Sequence, residues 1–326
     1  MLTDKYGRSH TYLRISLTDN CNLRCFYCMP EEDYAFTPHA QLMQVDEIEQ
    51  LAKVFVAHGV RKIRLTGGEP LVRRDAPAII AMLSQLPVEL HMTTNGIRID
   101  DMLGEIVSAG FKSVNISLDT LRPERFIKIT RRNYFERVRA NIDLLLKYNV
   151  ITKINVVVMK GINDDEILDF VALTKSKPVE IRFIEFMPFS GNKWSSNQVL
   201  TYDDIVNTVQ QAYTIQPVTA RPHDTAKAFS IPGHLGRIAI ISTMTAPFCA
   251  GCNRIRLTAD GKLKNCLFSA GETDLLSTLR TGGDVLPLIQ QNILSKAQAL
   301  GGQLAENFEQ IETDFLQNRS MITIGG

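Results

Sequence analysis

Six cysteines fall into two groups, Cys21, Cys25 and Cys28 near the start of the chain and Cys249, Cys252 and Cys266 near its end, with none between. Disulfides are out of place in a chain with core enough to fold without staples, so such grouping points to metal or redox chemistry. Each group holds three thiols. A structural zinc site closes a tetrahedron with four protein ligands, whereas a reactive metal site leaves a position open. Neither group has a CxxH partner, although His223 or His234 could close the second group as a zinc site from a distance. In the first group, offsets of four and seven would also set three thiols on one helix face. Asp19, Asn20, Asn22 and Pro30 favour turns and helix ends instead, so a loop wrapped around a cluster is expected.

The elements that must carry these groups alternate. Strand-like segments recur at 12–17, 62–66, 88–93, 113–118, 153–158 and 179–185. Helical stripes lie between several of them: Ile48, Leu51, Ala52, Phe55 and Val56 in one, Val138, Ile142 and Leu145 in another. Six β/α units predict a parallel sheet, either an incomplete barrel or a doubly wound sheet, with its site on the loops at the carboxyl ends of the strands. Those loops carry the first cysteine triad, Gly67–Gly68–Glu69–Pro70, Thr94–Asn95–Gly96, Asp119–Thr120, Lys160–Gly161–Ile162–Asn163 and Phe186–Met187–Pro188. Within the strands, Arg14 with Ser16, Arg64 with Thr66, and Lys153 with Asn155 share faces at the two-residue period. Buried cations are costly unless paired, so these side chains reach the open rim, form salt bridges or meet a polyanion.

From about Phe189 to Asn197 the composition turns to a Ser-, Gly-, Asn- and Lys-containing connector, dividing the chain into regions 1–190 and 191–326. In the second region Arg254 and Arg256 share one face of a strand that ends in an Asp260–Gly261 turn, beside the second triad. Their planar forks suit an exposed strand or the grip of a phosphate or purine edge. The chain has 326 residues, 44% hydrophobic and 22% charged, which excludes disorder and coiled coil. A formal charge of +1 gives no field for nonspecific nucleic-acid binding. No GxxxxGK[ST] loop, apolar leader or membrane-length apolar run is present, so a cytoplasmic protein without a nucleic-acid or membrane partner is expected.

CxxxCxxC with Tyr27 before its third cysteine, followed by Gly67–Gly68–Glu69–Pro70, resembles the radical S-adenosylmethionine (SAM) enzymes. The second triad, the run 253–262, the stretch Thr130 to Asn133 and the Gly325–Gly326 end extend the resemblance over nearly the whole chain, to the GTP 3′,8-cyclase family of molybdenum cofactor biosynthesis. One departure is Asn20, directly before Cys21, where that family carries arginine.

The resemblance implies an incomplete (β/α)6 TIM-type barrel and a C-terminal region with a second Fe–S cluster. Cys21, Cys25 and Cys28 would hold one [4Fe–4S] cluster and Cys249, Cys252 and Cys266 the other. SAM would meet Tyr27, Gly68, Ser117 and Met187; GTP would meet Arg14, Arg64, Thr93, Lys153, Arg254 and Arg256. Gly325 and Gly326 would reach the active site and assist catalysis. The implied reaction is the radical cyclisation of GTP to 3′,8-cyclo-7,8-dihydro-GTP, with an electron donor, a homodimer and cyclic pyranopterin monophosphate synthase as the downstream enzyme. A peptide-modifying radical SAM enzyme with an auxiliary cluster, and a noncatalytic zinc or redox-sensing module, are the alternative readings of the same thiols.

Overall fold

The computed structural model describes residues 1–29, 34–305, 307–313 and 316–325. The first half runs β1 (Tyr12–Ser16), α1 (Val45–Ala57), β2 (Lys62–Thr66), α2 (Ala76–Leu83), β3 (Glu89–Thr94), α3 (Leu103–Ser108), β4 (Ser113–Ser117), α4 (Pro123–Thr130), α5 (Phe135–Lys147), β5 (Thr152–Val158), α6 (Ile167–Ser176) and β6 (Glu180–Glu185). Neighbouring strands from β1 to β6 pair in parallel and in chain order, with helices in every crossover. Of the two sheets the alternation allows, this is the incomplete barrel that the resemblance implies; its edges are extended rather than closed on each other.

The second half is α7 (Tyr202–Gln210), β7 (Gln216–Pro217), β8 (Lys227–Ser230), β9 (Arg237–Ile241), β10 (Arg254–Leu257), β11 (Lys262–Lys264), β12 (Thr273–Asp274), α8 (Leu276–Arg280), α9 (Leu286–Leu294) and α10 (Met321–Ile324). Its strands extend both edges of the barrel sheet. β9 lies parallel to β6, with β8 and β7 beyond it, and β10 lies parallel to β1, with β11 and β12 beyond it. Among the described residues one sheet therefore has twelve strands.

The two faces of this sheet differ because the strands alternate. Leu13, Ile15, Ile63, Leu65, Val114, Ile116, Ile154, Ile181 and Phe183 are buried in one core with the inward stripes of the helices, including Ile48, Leu51, Phe55, Val138 and Leu145. Each such side chain contributes roughly 1.5–3 kcal/mol by leaving water. That core offsets a costly opposite face, which is polar and largely basic.

The 189–197 stretch, a connector by composition, is pinned in place. Trp194 is buried with its indole N–H donating to the Phe186 carbonyl (2.9 Å), and Asn192 donates to the Met187 carbonyl (2.8 Å). Small polar residues here satisfy backbone groups instead of loosening the chain.

Candidate active site

The inner face is set by strand register. Arg14 on β1 sits opposite Arg256 on β10 and opposite Arg64 on β2, so three guanidinium-bearing positions lie side by side across the sheet. One pleat nearer the strands' amino ends, Tyr12 sits between Arg254 and Lys62. On the other strands the same face carries His91 and Thr93, Asn115 and Ser117, Lys153 and Asn155, and Glu180 and Arg182. Every basic residue expected at a substrate site therefore lies on one concave face.

The row Arg256–Arg14–Arg64, continued by Lys264 on one side and His91 on the other, carries no acid. Arg64 is buried, donating to the Tyr12 hydroxyl (2.6 Å), the Met92 carbonyl (2.6 Å) and Thr93 Oγ1 (3.3 Å). Burial pushes Arg14 down to about 10, with Tyr12 opposing and Arg64 and Arg254 adding to the effect. Burial, with Arg14 and Arg254 beside it, pushes Arg256 well down. Tyr12 moves the other way from a buried phenol: burial raises it, but Arg64, Arg14 and Lys62 together pull it down to about 7. On the far strands, Glu180 collects Lys153 (3.2 Å), Arg182 (2.5 Å) and Arg237. One carboxylate thus faces three cations. Such a face suits a polyanion bearing several charges in a row.

The first triad leaves the carboxyl end of β1 in a loop without helix, as its turn residues predict. Two glycines fit this loop against the next. A Cβ on Gly68 would stand 2.5 Å from the carbonyl oxygens of both Asp19 and Asn20, and Gly67, at φ +153°, would bring one within 2.5 Å of Thr18 O. In their place, Gly68 N–H donates to Thr18 O (2.7 Å) and Glu69 N–H to Asn20 O (2.8 Å). The close approach Gly68 allows is thus to the cysteine loop. The Asn20 side chain is exposed and its backbone makes this contact, so the departure from arginine leaves the junction intact.

Glu69, fully buried and pushed up to about 7 by burial, accepts from Leu71 N, Thr94 Oγ1 and Asn95 N, at 3.0, 2.8 and 2.6 Å. Its carboxylate ties its own loop to the one after β3, and its N–H ties both to the cysteine loop. Tyr27 donates its hydroxyl to Asp119 (2.6 Å), which lies two residues past Ser117, and both Tyr27 and Met187 pack on the Phe186–Trp194 cluster. Tyr27, Gly68, Ser117 and Met187 therefore share the carboxyl rim with the first triad.

The second triad lies at the other end. Cys249 and Cys252 precede β10, which runs parallel to β1, and Cys266 follows the antiparallel β11, so all three sit at the amino ends of the barrel strands. Strands of four to five residues place roughly 15 Å between the two ends, with the basic face between them.

Both triads have the chemistry of iron–sulfur ligands. Burial and neighbouring groups raise the thiols of the first, Cys21 to about 11 and Cys28 to about 12, so a cation among them is what would hold them as thiolates. Cys21 Sγ accepts from Leu23 N (3.4 Å) and Asn95 Nδ2 (3.8 Å). At the second, Leu300 N donates to Cys249 Sγ (3.4 Å) and Lys296 Nζ to Cys252 Sγ (3.5 Å). Burial raises Cys252, but Arg254 and Lys296 bring it down to about 6. Among the described residues no three Cys, His, Asp or Glu side chains converge as ligands of a single ion. A four-iron cluster does not ask for that, since each thiolate takes a different iron. Of the two histidines open to the zinc alternative, His223 sets Nδ1 on the carbonyl of Gly251, between Cys249 and Cys252, and His234 sets Nδ1 against Thr174 Oγ1; among the described residues neither converges with the three thiols as a single-ion site.

The end of the chain enters the same face. Gly325 is buried at φ +83°, where a Cβ would stand 2.8 Å from Ser16 Cβ and Thr66 Oγ1, and its carbonyl accepts from Arg256 Nη1 (2.7 Å). Gly326 lies outside the described residues. Sequence reasoning missed Tyr12, Lys62, Asn115 and Arg182 on the inner face, and Lys296 behind Cys252. The first four were available from the two-residue period carried one step along each strand; Lys296 had no local signal.

Sequence comparison agrees with this geometry. The family profile described as Radical SAM superfamily matches residues 15–174, and that described as Molybdenum Cofactor Synthesis C matches 179–300. The mitochondrial GTP 3′,8-cyclase of Arabidopsis thaliana is 47% identical, over 100% of this chain and 84% of its own. The GTP 3′,8-cyclase of Rhodopirellula baltica is 42% identical, over 100% and 92%. Molybdenum cofactor biosynthesis protein 1 of Homo sapiens is 46% identical over 99% of this chain, which spans only 51% of that protein. Among solved structures, Streptococcus suis SuiB bound to S-adenosylmethionine superposes with a TM-score of 0.59 at 15% identity, covering 88% of this chain and 68% of that one, a likeness of fold. No helix among the described residues is long and apolar enough to cross a membrane.

Proposed function

Since the chain belongs to the radical SAM superfamily, and within it to the family of GTP 3′,8-cyclases and molybdenum cofactor biosynthesis proteins, we propose that it converts GTP to (8S)-3′,8-cyclo-7,8-dihydroguanosine 5′-triphosphate, the first step of molybdenum cofactor (molybdopterin) biosynthesis. The observation that carries this reading is the row Arg256–Arg14–Arg64, placed by register between two three-thiol sites. A peptide substrate would not need three adjacent guanidiniums.

Cys21, Cys25 and Cys28 would hold a [4Fe–4S] cluster with SAM beside it, which together supply the 5′-deoxyadenosyl radical that takes the ribose 3′ hydrogen. Cys249, Cys252 and Cys266 would hold a second cluster, at the position suited to the guanine base. Tyr27, Gly68, Ser117 and Met187 border the SAM side. Arg14, Arg64, Arg254, Arg256 and Lys153, with Thr93 among them, grip the triphosphate and fix the ribose, meeting the roughly 3–3.5 Å approach that a hydrogen transfer requires. Gly325 closes the face and helps exclude water, and Gly326 would assist catalysis with it. The division is a radical SAM partial barrel in 1–190 and an auxiliary-cluster region in 191–326. An external electron donor, a homodimer and delivery of product to cyclic pyranopterin monophosphate synthase complete the proposal.

Anaerobically reconstituted protein given SAM, dithionite and GTP tests it. Expected are 5′-deoxyadenosine and cyclised GTP together; Cys25→Ser abolishes both, and Cys266→Ser keeps some SAM cleavage but no cyclisation. 5′-Deoxyadenosine formed without any loss of GTP sinks the reading.

A further inference from the structure

The C-terminal segment reaches the inner face on a scaffold too short to hold itself. α10 has four residues, and a single helical turn is not stable alone. Ile322 and Ile324 are buried, the latter against Phe189 and Phe268, which supplies attraction but little direction. Upstream, Gln317 exchanges bonds with Gln303 and Asn318 donates to the Leu267 carbonyl (2.9 Å); from 319 onward, direction comes from two polar contacts six residues apart. At one end the Gly325 carbonyl accepts from Arg256. At the other, Arg319 lays its fork on Asp260, Nη1 to Oδ1 at 2.9 Å and Nη2 to Oδ2 at 2.8 Å, with Glu272 2.7 Å from Nη2.

Both contacts are made to one hairpin. Arg256 is on β10 and Asp260 is in the turn that follows it, where Thr258 Oγ1 also donates to Asp260 (2.6 Å) and fixes the carboxylate. A bidentate guanidinium–carboxylate pair sets distance and orientation together, which a single-point contact does not. The hairpin that presents Arg256 thus also measures where the tail must start.

We propose that Arg319 is a positioning residue: its fork on Asp260 sets the register that brings Gly325 against Ser16 and Thr66. This rests on the reading of the tail as part of the catalytic site. Lys262, 3.8 Å from Asp260, and Lys264, 3.5 Å from Glu272, remain beside the two carboxylates when Arg319 is replaced, so the fold has cations to keep.

The test uses the reconstituted full-length enzyme, wild type, Arg319→Met, Arg319→Lys, and the exchanged pair Asp260→Arg with Arg319→Glu. Amide hydrogen exchange over 321–325 and kcat and KM for GTP are read together with the thermal midpoint. Arg319→Met is expected to lose exchange protection at 321–325 and at least tenfold in kcat, with a smaller change in KM and an unchanged midpoint. Arg319→Lys falls between, and the exchanged pair regains protection and rate relative to Arg319→Met. Unchanged protection in Arg319→Met, or a fall in rate that tracks only the midpoint, overturns the assignment. Lost protection with undiminished kcat overturns it too, and removes the tail from the catalytic reading. A wild type that protects the tail yet consumes no GTP sinks the proposed activity alone, leaving the exchange data to decide the latch.

Discussion

Replacing Arg14 with methionine separates a face built for a ligand from one built for the fold. In the ligand-free protein the Arg14 guanidinium is pushed down to about 10 by burial and by its arginine neighbours, Tyr12 offsetting part of this. At about 1.4 kcal/mol per tenfold change in proton affinity, the depression corresponds to about 3 kcal/mol held against folding. The unfolded chain keeps the proton more tightly than the folded one. The charged side chain therefore opposes folding throughout the range below about pH 10, and relief comes only as pH rises through that value. Methionine keeps much of the stem's packing and removes the charge. Allowing half the figure for lost polar contacts, the variant gains about 1–2 kcal/mol, a rise of roughly 2–4 °C in thermal midpoint.

On the proposed reading the same substitution removes a charge-assisted contact to phosphate, a loss of about 3 kcal/mol or roughly 10²-fold in affinity for GTP. Guanosine, without phosphates, is expected to bind both proteins alike. Anaerobic scanning calorimetry with and without ligand, and titration calorimetry with GTP and guanosine, read both arms. An Arg14→Met protein that melts several degrees lower without ligand, or that gains as much from GTP as wild type, refutes the argument; Arg14 would then be serving the fold.

Gly325→Ala puts a Cβ 2.8 Å from Ser16 Cβ and Thr66 Oγ1 at a positive φ that alone costs roughly 1–2 kcal/mol; kcat/KM is expected to fall at least tenfold, and adding Thr66→Ala to recover part of it in steady-state assays. Lys296→Met removes the ammonium 3.5 Å from Cys252 Sγ, so EPR-monitored titration is expected to find the midpoint of the proposed second cluster at more negative potential, because a reduced cluster carries more negative charge. Tyr12→Phe tests the cations around the phenol, held down to about 7. A depressed acid stabilises the fold above its unfolded value near 10 and loses that contribution as pH falls through about 7. The midpoint of wild type relative to Tyr12→Phe should therefore rise from pH 7 towards pH 10, and a difference that stays flat argues against phenolate.

The barrel strands were legible to within a residue or two because their alternation is unusually clean: a sheet with a polar inner face betrays its period, where a barrel filled with Val and Ile would not. That same period set Arg14 with Ser16, Arg64 with Thr66 and Lys153 with Asn155 on the faces of their own strands; that the three faces are one follows from register. What stayed hidden is nonlocal. Asn192 and Trp194 look like a linker because their value lies in the Met187 and Phe186 carbonyls they satisfy. Arg319 sits in an unremarkable polar stretch until Asp260, 59 residues away, is placed beside it.

The direction of β10 matters most of all. Two strands carrying Arg14 and Arg256 could pair either way and still put both arginines on one face. Pairing in parallel sends the residues before β10, Cys249 and Cys252, to the amino end of β1, while Cys21 leaves from its carboxyl end. Antiparallel pairing would bring the two triads to the same rim and leave the basic face to one side of both. The roughly 15 Å between the triads, and the position of the arginine row inside that interval, follow from one choice of strand direction. No spacing within either cysteine motif encodes that choice, nor does the apolar period of the strand, since Ile255 and Leu257 would join the core that Leu13 and Ile15 occupy in either direction.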